Sequence, residues 1–141
     1  QIENITALKE ASGNISYVAE VAREVPKLDI YSGNDDMVVP VLSLGGKGVI
    51  SVSANIIPDI NHEMVVSFLN GDIEKARELQ LKYNDLVNAL FLETNPVPIK
   101  EAMNFLGYEV GNCRLPLGMM EESNRAKLRD ILIAHEVTGW K

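Results

Sequence analysis

The chain has 141 residues, 46% of them hydrophobic, which is about one domain in length and enough for a buried core. Thirteen Lys and Arg against twenty Asp and Glu leave a formal charge of −7; nucleic-acid binding and a polybasic membrane patch both need clustered positive charge, so neither partner is expected. No run approaches the roughly 18 apolar residues of a membrane span, and the single cysteine, Cys113, has no internal disulfide partner, so a reducing compartment, the cytoplasm, is expected.

Gln1-Ile2-Glu3-Asn4 leads almost at once into an apolar stretch, with no initiating Met and no signal-peptide pattern. The expectation is a chain cut from something longer on its N-terminal side. Three strand-then-helix units follow. The first has a β-prone run at Ile5-Thr6-Ala7-Leu8, a turn ending in Ser12-Gly13-Asn14, and a helix whose apolar positions Ile15, Val18, Ala19, Val21, Ala22 and Val25 recur at helical spacing until Pro26. The second has a strand at Leu28–Tyr31, the turn Ser32-Gly33-Asn34-Asp35 and a helix over Asp36–Leu44 that stops at Gly45-Gly46. The third has a strand at Gly48–Val52, a turn at Ser53-Ala54-Asn55 and a helix over Asp59–Leu69 stopped by Asn70-Gly71.

The second half reads as helical. Asp72 caps a long helix with apolar positions from Ile73 to Leu90, and Asn95-Pro96-Val97-Pro98 breaks it. A helix over Ile99–Leu106, an extended connector at Arg114–Leu117 and an amphipathic helix over Glu122–Glu136 complete the chain. Short apolar strands separated by helices imply a parallel sheet covered by helices, with turn residues at the C-terminal strand ends, where such folds place their chemistry. Three strands cannot close an α/β barrel. The sheet is therefore open, or its remaining strands come from a missing segment or a partner chain.

Lys9 follows the first apolar run and precedes a Gly-containing turn. A lysine there can point its amine into a partly desolvated site above the sheet, and a neutral amine attacks a carbonyl to form a Schiff base. The alternative is a surface lysine snorkelling off the strand end. Glu10 either tunes Lys9 or bonds to nearby backbone. Asp35 and Asp36 read as helix-capping residues in preference to metal ligands. His62 and His135 lack ligand-type neighbours at metal spacing, so no metal site is expected. Gly45-Gly46-Lys47-Gly48 lacks the spacing of a phosphate loop.

Lys9-Glu10-Ala11-Ser12-Gly13-Asn14 resembles the Schiff-base lysine segment of the dihydrodipicolinate synthase family, in the N-acetylneuraminate lyase superfamily of class I aldolase-like (β/α)8 barrels. Tyr31-Ser32-Gly33-Asn34-Asp35 is similar to the turn after that family's seventh strand, and Gly45–Val52 to its eighth-strand segment. Asn95–Lys100 and Arg114–Leu117 are similar to its C-terminal helical region. The five matches run in order along nearly the whole chain. The form of the segment after the lysine favours the synthases over the sugar-acid lyases.

The resemblance implies an α/β chain that is a partial (β/α)8 TIM barrel: the last three βα units over residues 1–70, then a C-terminal helical extension over 71–141. It implies that Lys9 forms an imine with pyruvate. The enamine then attacks the aldehyde of L-aspartate-β-semialdehyde, and cyclisation gives the 4-hydroxy-tetrahydrodipicolinate of lysine and diaminopimelate biosynthesis. Gly33 and Ile50 would line the site through their carbonyls. No cofactor is implied, because the imine itself is the electron sink. The family's tyrosine–threonine relay and carboxylate-binding arginine come from earlier units, and no Tyr or Arg here falls at a matching position. The chain alone is therefore expected to be inactive. A homo-oligomer, a tetramer in the family, is expected, with Ile15 and Leu44 near an interface, or else a complementing N-terminal half. The other readings are a non-catalytic half-barrel assembly module and a related pyruvate-dependent sugar-acid aldolase.

Overall fold

The computed structural model describes residues 2–139 and divides into two compact units. One is formed by the chain up to Ser51 together with Ile60–Leu81, the other by Val52–Asp59 and the chain from Lys82 onward. The first and the last two residues, Gln1, Trp140 and Lys141, lie outside the described part, so the expectation for the N-terminal edge is described only from Ile2.

The first unit carries the sheet. Strand β1 (Ala7–Glu10), helix α1 (Ile15–Glu24), strand β2 (Asp29–Ser32), a 3-10 turn (Asp35–Met37), helix α2 (Val38–Ser43) and strand β3 (Gly48–Val49) follow in order. Helices α3 (Pro58–Leu69, counted here from Ile60) and α4 (Ile73–Lys82) complete it. The strands lie in the order β1-β2-β3 and all pair parallel, with Lys9 opposite Tyr31, Glu10 opposite Ser32, Tyr31 opposite Gly48 and Ser32 opposite Val49. The α/β reading of the sequence therefore stands: a three-stranded parallel sheet whose strands are joined by helical crossovers.

Side-chain alternation sorts the two faces of this sheet. Ile30 packs with Val18 of α1 and Val41 of α2, and Val21, Ala22 and Met37 close around them. Ala7 and Lys9, of the opposite parity, are exposed. Local chemistry sets the helix ends. Asn14 Oδ1 accepts from the backbone N–H groups of Ser16 (3.0 Å) and Tyr17 (3.3 Å), capping α1. Asp72 Oδ1 does the same for Lys75 N–H at 3.0 Å ahead of α4. Gly45, at φ +91°, takes the left-handed turn that closes α2, and its N–H and that of Gly46 return to Leu42 and Val41 carbonyls.

Several elements differ from expectation, among them the helix expected over Asp36–Leu44, which is a 3-10 turn at Asp35–Met37 followed by α2. Strand β1 is Ala7–Glu10, not Ile5–Leu8, because the parallel ladder with Asp29–Ser32 selects the more polar stretch. Strand β3 is only Gly48–Val49, paired with Tyr31 and Ser32 of β2. The long helix after Asp72 is two helices. It leaves helical geometry at Tyr83 (φ −101°, ψ 8°), and Asp85 Oδ1 accepts from Leu86 N–H at 2.9 Å to start the next one.

In the second unit, a 3-10 turn at Ser53–Asn55 precedes helices α5 (Asn84–Ala89), α6 (Val97–Phe105) and α7 (Glu122–Ala134). Leu86, Leu90, Leu128 and Leu132 are fully buried, and α7 packs on both α5 and α6. Pro98 sits in the first turn of α6, where its missing N–H costs no helical bond. Glu93 Oε1 accepts from the N–H of Glu121 (2.9 Å) and from Asn124 Nδ2 (2.8 Å), fixing the start of α7. Glu101 bonds Arg125 at 2.5 Å, and that carboxylate raises the guanidinium's pKa above its ordinary value by hydrogen bond first and charge second. His135 Nε2 lies 2.8 Å from Asp85 Oδ1 and its ring leans on Tyr83, a structural role in keeping with the sequence reading, while His62 is exposed.

Candidate active site

Three neighbouring strand ends carry the residues singled out in the sequence. Lys9 is the third of the four residues of β1, one step inside the tip rather than beyond it. Gly33 follows β2 directly and Ile50 follows β3 directly. The parallel register brings all three to the same end of one sheet. Gly33 N–H donates to the Glu10 carbonyl at 2.6 Å, and Ile50 N–H donates to the Ser32 carbonyl at 2.8 Å, so the ladder continues through both tips.

Gly33 is a glycine for reasons of space. A Cβ there would lie 2.5 Å from Ala11 Cβ, 2.9 Å from Lys9 Cε and 3.1 Å from the Glu10 carbonyl oxygen. All are well inside van der Waals contact, so no side chain fits without a shift. The lysine stem therefore crosses the α-carbon of Gly33. At Gly48, by contrast, a Cβ would meet the Tyr31 ring at an ordinary contact distance of 3.5 Å. The tips thus present one amine, a bare α-carbon against its stem and the half-exposed side chain of Ile50.

In this chain the Lys9 side chain lies on the open face of the sheet. Lys9 is exposed, because it lies on the sheet face opposite the α1–α2 cluster, and its neighbour of the same parity, Ala7, is exposed too. Glu10, by contrast, is buried and its Oε1 accepts from Ser12 N–H at 2.7 Å. Of the two roles open to Glu10, the structure displays the bond to nearby backbone. That bond shapes the turn carrying the chain away from Lys9.

Beneath the tips lies a set of buried polar groups, of which the sequence singled out only Asp35, as a capping residue. The Ser32 hydroxyl donates to the Asn34 carbonyl (2.8 Å) and accepts from Asn34 N–H (3.2 Å), folding the turn that contains Gly33. Asp35 stands in the first turn of the 3-10 segment, as a capping residue would, but it is buried and its carboxylate accepts from the Ser51 hydroxyl. Gln80 on α4 is buried as well; its Nε2 donates to the Asp35 carbonyl at 3.0 Å and its Oε1 accepts from Val39 N–H at 3.1 Å. One signal was available for Gln80: it stands four residues after Ala76, in the apolar phase of its helix, where a polar residue needs a buried partner. Ser51 and Asp35 lie sixteen residues apart and carried no such signal.

The family model described as the dihydrodipicolinate synthetase family matches residues 1–135. The chain is 58% identical over 132 residues to the 4-hydroxy-tetrahydrodipicolinate synthase of Brachyspira hyodysenteriae, covering 94% of this chain and 45% of that protein. It is 57% identical over 138 residues to the synthase of the same name from Caldicellulosiruptor bescii, covering 98% and 47% respectively. Among solved structures, the dihydrodipicolinate synthase of Aquifex aeolicus superposes with a TM-score of 0.94 at 37% identity, over 100% of this chain and 48% of that one. That of Thermotoga maritima gives 0.91 at 34% identity, over 96% and 48%. The chain thus spans about half the length of the relatives it matches.

Proposed function

The chain belongs to the dihydrodipicolinate synthetase family, and from that premise we propose that it is the C-terminal half of a 4-hydroxy-tetrahydrodipicolinate synthase whose Schiff-base nucleophile is Lys9. The fold is then a partial (β/α)8 barrel, with its last three βα units over residues 1–70 and a helical region over 71–141. The observation that carries this reading is the packing at the strand tips: the Lys9 stem runs across the side-chain-free α-carbon of Gly33, 2.9 Å from where a Cβ would be. The glycine lets the Lys9 stem lie over the neighbouring strand end, where a Cβ would collide with it.

In this reading the Lys9 amine adds to the keto carbon of pyruvate, and loss of water gives the imine. The protonated imine draws electrons from the methyl carbon, which loses a proton to a base of the completed site; the resulting enamine carbon attacks the aldehyde of L-aspartate-β-semialdehyde, whose oxygen takes up a proton to become a hydroxyl. The semialdehyde's own amine then displaces Lys9 and closes the ring, which returns the free lysine. Gly33 and Ile50 border the keto acid through their backbone. The proton relay and the carboxylate clamp are supplied by segments of the family outside this chain, so the chain alone holds the nucleophile but turns over only when complemented. The assembly is homo-oligomeric and cytoplasmic, and the exposed Ile15 and Leu44 stand at an interface between copies.

The test is borohydride reduction in the presence of pyruvate, on the chain alone and with a complementing N-terminal half. A stable adduct in both samples, with turnover of aspartate semialdehyde only in the second, supports the reading. Turnover of sialic-acid-type substrates instead would replace it by the sugar-acid aldolase. No adduct and no turnover in either sample would leave a half-barrel assembly module.

A further inference from the structure

The first unit ties its strand tips to a helix far along the sequence through a single side chain. We propose that Gln80 is a positioning residue for the Lys9 site: its amide holds the segment after Gly33, and through Asp35 the segment after Ile50, in the register that sets both against the amine. The inference rests on the reading of Lys9 as the pyruvate-binding lysine.

The geometry is specific. The carbonyl of Asp35 and the N–H of Val39 stand four residues apart, the pair that an unbroken α-helix would join to each other. The helix is broken between them: the 3-10 turn gives way to α2 at Met37, whose φ −117° and ψ 16° leave helical geometry. Gln80 bonds both groups, donating from Nε2 to the Asp35 carbonyl at 3.0 Å and accepting at Oε1 from Val39 N–H at 3.1 Å. Only one orientation of the amide satisfies a carbonyl and an N–H together, so the side chain is fixed at both ends. It is buried beside Leu79 and Ala76 of the same helix, where water does not replace either bond.

From that anchor two short paths reach the site. Along the backbone, Asp35 is two residues from Gly33, whose N–H bonds the Glu10 carbonyl and whose missing Cβ would stand 2.9 Å from Lys9 Cε. Along the side chain, the Asp35 carboxylate accepts from the Ser51 hydroxyl, and Ser51 adjoins Ile50. The Ser51 hydroxyl also lies 3.5 Å from Asn61 Oδ1 on α3. One amide therefore restrains the segments that follow two of the three strand tips. Misplacement of such tips by a fraction of an ångström is enough to slow a step that needs aligned reactants.

The test uses two variants of the full chain. Gln80→Met keeps the length and the burial but makes neither bond. Gln80→Glu keeps the acceptor for Val39 and, only when protonated, regains a donor for the Asp35 carbonyl. Two readouts are taken: amide hydrogen exchange at Gly33 and Ile50 without any ligand, and the rate of borohydride trapping with pyruvate. In Gln80→Met the two amides should exchange about tenfold faster while the α1 amides are unchanged, and trapping should slow about tenfold. For Gln80→Glu the deficit in trapping relative to the parent chain, compared at each pH, should shrink as the pH falls and the carboxyl takes up its proton. Unchanged exchange at Gly33 and Ile50 would overturn the proposal, as would altered exchange with unaltered trapping. If the parent chain itself is not trapped, the reading of Lys9 fails, and the exchange data alone decide whether Gln80 holds the tips.

Discussion

Placing a methyl group at residue 33 tests the packing on which the site is built. In Gly33→Ala the new Cβ would sit 2.5 Å from Ala11 Cβ and 2.9 Å from Lys9 Cε. Carbon pairs settle at about 3.5–4.0 Å, so Ala11 must retreat by about 1 Å or more, and Lys9 by somewhat less. The two neighbours differ in how they can give way. Lys9 Cε lies on a flexible stem and can swing aside at little cost. Ala11 Cβ moves only with its backbone, which continues from the Glu10 carbonyl that accepts the 2.6 Å bond from Gly33. Overpacking of this kind costs about 1–3 kcal/mol, and one bond under strain lies at the same point. Urea unfolding should therefore show a stability loss in that range, and borohydride trapping of pyruvate should slow because the stem has been pushed off its line. Gly45→Ala is the paired control. Its φ of +91° penalises any side chain, but nothing lies within 4 Å of the added methyl. That variant should lose about 1–2 kcal/mol from backbone strain alone and trap pyruvate at the parent rate. If Gly33→Ala matched the parent in both assays, the close approach of Lys9 to Gly33 would be refuted.

Further outcomes follow from other contacts. Ser51→Ala removes a donor to the buried Asp35 carboxylate and should cost about 1.5–3 kcal/mol in urea unfolding; a neutral result would mean that bond does not hold the tips. Glu93→Ala takes away the acceptor for Glu121 N–H and Asn124 Nδ2, and should lower the stability of the second unit by about 0.5–2 kcal/mol while leaving exchange at Gly33 untouched. Ile15 and Leu44 are exposed apolar residues, and the double variant Ile15→Asp, Leu44→Asp should sediment as a smaller species, because an interface does not accept unpaired charge. Sedimentation of that variant at the parent's size would move the interface elsewhere.

The helices were legible because their signals are local. Asn14 capping α1, Asp72 capping the start of α4, Gly45 closing α2 and Pro98 in the first turn of α6 each act within a few residues of where they stand. The strands were less so. Apolar content pulled β1 toward Ile5, whereas pairing with Asp29–Ser32 decides its position, and a partner strand cannot be seen from one segment. The break at Tyr83 was hidden by apolar spacing that runs on through it to Leu90. At the site, Lys9, Gly33 and Ile50 share one sheet end, and the sequence left open whether the Lys9 side chain is covered or exposed. Which face a strand residue occupies depends on register, and one residue of slip reverses it. The buried links from Gln80 to Asp35 and from Asp35 to Ser51 span 45 and 16 residues. Only folding brings them together, which is why a polar residue in an apolar helical phase was the sole hint.

The central claim is a covalent bond at one nitrogen, and the most direct measurement is peptide mapping after borohydride reduction with pyruvate, on the parent chain and on Lys9→Met. The account predicts a single carboxyethyl adduct on the peptide containing Lys9, absent from the variant although the variant remains folded. An adduct mapped to Lys47 or Lys100, or one that persists in Lys9→Met, would contradict it.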